Sequence, residues 1–418
     1  MSINRRHWKI GLALLCGAGL VVCGREWWTN HRYQIAMEEI QTEILAGRFA
    51  IACRDLDNLL SWKSDPDGEI AYSFGSCELA RGRFEAAGDA WGRVVPGSRF
   101  SEKAIEGRME LLRQTGHFSA AERLIIDAAE DPRNDRSALL VLLVPIYIEL
   151  GRIDEAEQQI ENRWNHLAAM GQGALEPAIK LVFRYIELGL TATPIESIRP
   201  LLEHAYKLAP DDDQVWLGRA NLAIRCGDYQ EAARWLDACE VRRPEDRAIR
   251  QARLNWAIAT NRIDVVERGM KYVPATESKP SRSHRLNAWL AGQRGDRSTE
   301  RRELELLLAA DPTDEKAFGR LTEMARAEGQ PALDAELVRK KDMIDRLRAR
   351  YLKLYDRRQP FRDAAEAAGL AERLGRQFEA RAFLTIAISE DPIREDLRRD
   401  LARLSLAPAA AARAVPRS

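Results

Sequence analysis

The chain has 418 residues, with 64 Lys plus Arg set against 64 Asp plus Glu, so its formal charge is zero. That balance excludes the basic footprint of a general nucleic-acid binder. Hydrophobic content of 45% with 31% charged residues excludes a chain too polar to fold. A chain this long would ordinarily form two or three compact domains, unless it is built of repeats that pack only on their neighbours.

The first nine residues carry Arg5, Arg6 and Lys9, and the uncharged stretch Ile10–Gly24 follows. A basic head before an apolar run is the layout of a secretory signal or signal anchor. Fifteen residues cover only roughly 22 Å as a helix, short of a bilayer core of about 30 Å. Trp8 and Lys9 on one side, and Arg25 with Trp27 and Trp28 on the other, can extend the span, because such side chains prefer the headgroup zone or snorkel to it. The expectation is a head at 1–9 and an uncleaved anchor at 10–28. Its N-terminus would be cytoplasmic and the remainder extracytoplasmic, at the cell (inner) membrane. Cleavage after Gly24, giving a secreted or periplasmic chain, and lipidation at Cys23 are the alternatives.

Beyond Cys16 and Cys23 the cysteines are Cys53, Cys77, Cys226 and Cys239, with no C-x-x-C pair. Metal ribbons, thioredoxin-like sites and covalent haem attachment are therefore unsupported. In an exported chain these thiols would meet oxidising conditions. Spacing leaves open whether Cys53–Cys77 or Cys226–Cys239 pair.

One pattern recurs from residue 33 onward: glycine, any residue, an aromatic or Ile, two residues, then alanine. It occurs at Gly47, Gly82, Gly116, Gly151 and Gly227, with weaker copies at Asn261, Gly295, Gly329 and Gly375. The steps are 35, 34, 35, 76, 34, 34, 34 and 46 residues, and Gly189 splits the step of 76 into two of 38. Gly or Asn ends a first helix by adopting a left-handed backbone, and the small alanine lets the second helix approach. Pro66, Pro132, Pro210, Pro244, Pro274, Pro312 and Pro392 then close units, because proline cannot continue a helix.

The best copy places Trp216, Ala220, Ala223, Gly227, Tyr229, Ala232, Leu236 and Pro244 at unit positions 4, 8, 11, 15, 17, 20, 24 and 32. This spacing resembles the tetratricopeptide repeat (TPR). The resemblance implies an all-α, right-handed TPR α-solenoid of about ten helix–turn–helix repeats, preceded by one transmembrane or signal-anchor helix. The expected divisions are repeats at 33–164, an irregular unit with insertions at 165–212, repeats at 213–331, a long basic helix or linker at 332–360, a last repeat with its cap at 361–404, and a disordered tail at 405–418. Within 339–358 nine Lys or Arg face three Asp. That composition suits a solvated face, or a dock for an acidic partner or anionic headgroups. The runs at 208–246 and 371–392 resemble the TPR regions that precede FG-GAP/ASPIC-UnbV modules in planctomycete-type bacterial proteins. The resemblance covers repeat residues alone, so nothing linked to that module is carried over.

In TPR solenoids the first helices of successive units line the concave face, chiefly through positions 2, 5, 9 and 12. Counting from residues 213, 247 and 281 puts Asn221, Asn255 and Trp289 at position 9, with Arg282 and Arg285 at positions 2 and 5 of the last. Carboxamides can hold an extended backbone, an exposed Trp anchors apolar groups, and paired arginines suit a carboxylate. Carboxylate-clamp TPRs use a related logic, but their position-5 lysine is Leu217 here. A second candidate is the apolar run Leu139–Ile148, either a covered helix or a hydrophobic docking patch, with Pro145 bending it.

No nucleotide-binding, zinc-protease or serine-hydrolase motif occurs, and Asp211–Asp213 lacks the spaced ligands of a calcium loop. The expected function is a membrane-anchored, non-catalytic scaffold that binds a protein or peptide, without cofactor, metal or nucleic acid. The alternative is a self-associating structural or assembly component of a cell-envelope or secretion complex.

Overall fold

The computed structural model describes residues 27–65, 67–190, 193–271 and 280–413, and every regular element among them is helical. The N-terminal head and nearly all of the expected anchor lie outside the described residues. No helix among the described residues is long and apolar enough to cross a membrane.

The repeat turns share one geometry. Gly47, Gly82, Gly116, Gly151, Gly227, Gly295, Gly329 and Gly375 have φ between +65° and +78°, and Asn261 has φ +55°. At each, the next residue's N–H returns to the carbonyl five positions before it, at 2.7–2.9 Å, as in Arg48 to Glu43, Asp228 to Ala223 and Arg376 to Ala371. This is the Schellman closure, which satisfies carbonyls left open at a helix end. Gly189 is a correction to the expected pattern. It lies inside the helix Leu175–Leu190 with no left-handed turn.

The described residues divide into two compact units, one of 27–143 with 207–212 and one of 144–206 with 213–413. In the first, α1 (27–45), α2 (Phe49–Leu60), α3 (Glu69–Ala80), α4 (Phe84–Gly92), α5 (Ser101–Gln114), α6 (Phe118–Glu130) and α7 (Arg136–Leu140) follow in order. Met37, Ile40, Leu56 and Ile70 form one core. Trp91 fills the next, where a Cβ at Gly75 would stand 2.5 Å from its Nε1 and one at Gly107 2.9 Å from its Cζ3. The backbone approaches that ring so closely that only glycine fits. Cys53 and Cys77 are buried in the first of these cores as free thiols.

In the second unit come α8 (Val144–Glu149), α9 (Ile153–Ala169), α10 (Leu175–Leu190), α11 (Ile195–Leu208, its last two residues counted with the first unit), α12 (Asp213–Cys226) and α13 (Tyr229–Arg242). These are followed by α14 (Arg247–Ala259), α15 (Ile263–Met270), α16 (Pro280–Arg294), α17 (Arg297–Ala310) and α18 (Glu315–Ala327). The last are α19 (Pro331–Arg357), α20 (Pro360–Arg373), α21 (Gln377–Glu390) and α22 (Glu395–Arg413). The row closes on itself: α10 packs against α21, and residues of α9 and α10 share one core with residues of α19 to α22. Trp164 meets Phe378 edge-on at 6.2 Å between centroids, and Tyr185 lies 4.4 Å from the same ring. Glu187 accepts from Tyr355 at 2.9 Å and from Arg358 at 3.1 Å.

This closure gives physical sense to two irregular stretches. The segment after residue 165 supplies α10, the surface on which the C-terminal helices pack. The long helix α19 is amphipathic, with Leu337, Ile344, Tyr351 and Leu354 buried and the charged side chains outside. The run Leu139–Ile148 is broken, with Leu139, Leu143, Val144, Ile146, Tyr147 and Ile148 buried, Leu140 to Leu142 half-buried and Pro145 exposed. It ends α7, passes through a 3-10 turn at Val141–Leu143 and begins α8, with Pro145 in the first turn of the new helix. It presents no exposed hydrophobic patch. The tail expected from 405 instead continues α22 to Arg413 through an alanine-rich run, alanine being the strongest helix former.

Cys226 is exposed and accepts from Arg199 at 3.2 Å, whereas Cys239 is buried and donates to the Asp213 carbonyl at 3.6 Å. The two thiols are engaged with different partners.

Candidate binding groove

Within the second unit, a groove of about 780 Å³ opens between the start of α9 and helices α14, α16, α17 and α18. Position 9 of two successive repeats, Asn255 and Trp289, lines it, as do Arg282 and Arg285. Four of the five residues selected by repeat position therefore share one cavity. Asn221 is not among them. Its Nδ2 donates to the Leu150 carbonyl at 2.8 Å, and its Cβ lies 3.1 Å from where a Cβ on Gly151 would stand. The turn at 150–152 occupies the inner face of α12, and Arg152 also donates to the buried Gln214 at 3.0 Å. The protein's own chain fills the place that a ligand would take one repeat later.

The arginines are also constrained. Arg282 donates to Asp154 at 2.5 Å, and Arg285 makes two bonds to Asp314 at 3.0 and 2.8 Å. Asp314 simultaneously caps α18 by accepting from the Ala317 N–H at 2.9 Å. Arg320 grips the buried Glu300, whose Oε1 sits 2.9 Å from where a Cβ on Gly292 would project. The pairing of Arg282 and Arg285 expected for a ligand carboxylate is thus used inside the fold. Lys316 on the groove wall has no ion-pair or hydrogen-bond partner among the described residues.

The uncharged groups of the groove are less committed than the arginines. Trp289 is half-buried against the core of Leu254, Val266 and Leu290, and its indole N–H has no acceptor among the described residues. Trp91, Trp235 and Trp256 all donate to protein oxygens instead. Gln251 donates to the Asn255 Oδ1 at 2.9 Å, which fixes that carboxamide with its Nδ2 hydrogens unspent. Ile258 and Leu286 add apolar surface. A half-buried indole and a held carboxamide in one lining offer donors to carbonyls and a flat face to an apolar side chain. Sequence reasoning missed Asp154 and Gln158, because α9 reaches the groove only through the closure of the row, and it missed Lys316 and Arg320, because the repeat count stopped at the unit beginning at 281 and did not extend to α18. Among the described residues no group of three His, Cys, Asp or Glu side chains is placed to hold a metal ion.

No protein-family model and no curated protein matches the chain. Solved structures similar to it include a tetratricopeptide repeat protein from Parabacteroides merdae, with 14% identity over 60% of this chain and 96% of that one, at a TM-score of 0.26. The C-terminal part of a TPR repeat-containing protein from Cytophaga hutchinsonii matches at 12% identity over 68% and 98%, with a TM-score of 0.25. Yeast Tom70 matches at 10% identity over 91% and 96%, with a TM-score of 0.23. Likeness this distant adds nothing to the argument. The repeat architecture stands on the chain's own turns and helix pairs.

Proposed function

We propose that the protein is a non-catalytic TPR-type scaffold, tethered to the membrane through residues 10–28, that holds an extended peptide segment of a partner protein in the groove of its second unit. The observation that carries this reading is the unspent hydrogen-bonding capacity of Trp289 and Asn255, which line one groove at position 9 of successive repeats. A segment lying there would receive hydrogen bonds along its backbone and seat one apolar side chain on the indole. Lys316 would favour an acidic residue nearby. The tether rests on the basic head, the uncharged stretch at 10–24 and the flanking tryptophans, with the repeats on the extracytoplasmic side.

The test uses the full chain carrying a photoreactive benzoylphenylalanine at position 281 or 241, mixed with peptides selected against the wild-type protein from a random library. Crosslinks at 281, on the groove, with none at Val241, exposed on α13 outside it, are expected. Crosslinks at 241 alone would move the binding face elsewhere.

A further inference from the structure

The end of the first helix pair carries an aromatic cluster that the groove does not explain. Trp27 is 68% exposed, Trp28 56% and Trp62 37%. Trp28 and Arg32 lie one turn apart on α1, on the same side of the helix. The Arg32 guanidinium stands 5.6 Å from the Trp28 centroid and 4.7 Å from the Trp62 centroid, so it lies against one ring from α1 and one from the turn that follows α2. Lys63 Nζ donates to the Asn30 Oδ1 at 2.6 Å, which ties the turn after α2, where Trp62 sits, to the start of α1. Arg32 has no carboxylate partner among the described residues. Two exposed indoles against an unpaired guanidinium, with the exposed Trp27 stacked on His31 beside them, would be a costly apolar display facing bulk water. The same grouping suits a layer that is apolar on one side and rich in phosphate on the other.

The sequence places such a layer nearby. The uncharged stretch ends at Gly24, four residues before Trp28, and four residues span at most ~14 Å. We infer that this end of the first helix pair docks into the headgroup layer of a phospholipid bilayer, with Trp28 and Trp62 in the interface and Arg32 on lipid phosphate. The inference rests on the tether proposed above and adds a contact made by the folded repeats themselves. It predicts that the first unit stands directly on the membrane rather than hanging from a loose stalk.

The experiment uses the full chain labelled with 5-fluorotryptophan, reconstituted in vesicles of phosphatidylethanolamine and phosphatidylglycerol containing a lipid with a gadolinium-chelate headgroup. Flotation reports the tether. ¹⁹F lines are assigned by single Trp→Phe variants whose circular dichroism matches the wild type. The Trp28 and Trp62 lines are expected to broaden several-fold more than those of Trp91 and Trp235. A chain that floats while its Trp62 line broadens no more than that of Trp91 would overturn the docking and leave the tether standing. A chain that does not float would overturn both.

Discussion

Arg282 and Asp154 meet at 2.5 Å although 128 positions separate them along the chain. The pair joins the first turn of α9 to the start of α16 across the groove, and it exists because the second unit curls until its two ends touch. Both side chains keep solvent contact, so the ion pair itself is worth at most about 1 kcal/mol. Asp154→Ala is therefore expected to leave the unfolding midpoint nearly unchanged while freeing the guanidinium inside the groove. Calorimetry with a matched pair of peptides, one bearing Glu and one Gln, would then show a larger preference for the acidic peptide than in the wild type.

Asn221 and Trp289 occupy equivalent repeat positions and have opposite roles. Asn221→Ala removes the donor to the buried Leu150 residue's carbonyl and is expected to cost about 1–3 kcal/mol of stability. Peptide affinity at the groove should be unaffected in the folded fraction. Denaturant titration and binding measured on the same samples check both halves of the statement.

The closure of the second unit depends on Phe378, which is buried between Trp164 and Tyr185. Phe378→Ala is expected to cost roughly 3–5 kcal/mol. It should also raise amide hydrogen exchange in α9 and α10, which end 209 and 188 positions before it (378 − 169 and 378 − 190). Exchange that rises only in α20 to α22 would mean that the ends of the row do not support each other.

Glu379 gives the closure a pH dependence. Burial raises its pKa above the usual carboxylate range, against the opposing pull of Arg376 at 3.2 Å and the Tyr351 hydroxyl, and Glu157 adds to the rise. A carboxyl whose folded pKa is raised contributes stability that is fully present below its unfolded value of about 4.3 and is lost as pH rises through the folded value. Glu379→Gln is expected to flatten the fall in thermal midpoint over that window. An unchanged slope from pH 4 to neutrality would remove Glu379 as its source.

The turns were legible because left-handed glycine at a fixed step is a local signal, and each expected turn but Gly189 has that geometry. Gly189 has Thr191 and Pro194 where the pattern has an aromatic or Ile and an alanine, and it lies within the helix that runs to Leu190. The groove was legible through repeat position for Asn255, Arg282, Arg285 and Trp289. Position could not reveal that the turn at Leu150–Arg152 covers α12, nor that Asp154 and Asp314 consume the arginines. Those facts depend on contacts between residues tens to more than a hundred positions apart. The length of α19 was legible, but its covered face was not read: Leu337, Ile344 and Tyr351 recur every seven residues, the spacing of a helix that keeps one face covered, among a basic composition that drew the reading to its charge.

The central claim is that the groove around Trp289 binds peptide, and its most direct test is the affinity of library-selected peptides for wild-type protein and for Trp289→Ala. Loss of the buried indole contact is expected to weaken binding about tenfold or more, with Val241→Asp binding as the wild type does. Equal affinity of the selected peptides for wild-type and Trp289→Ala protein would contradict the account.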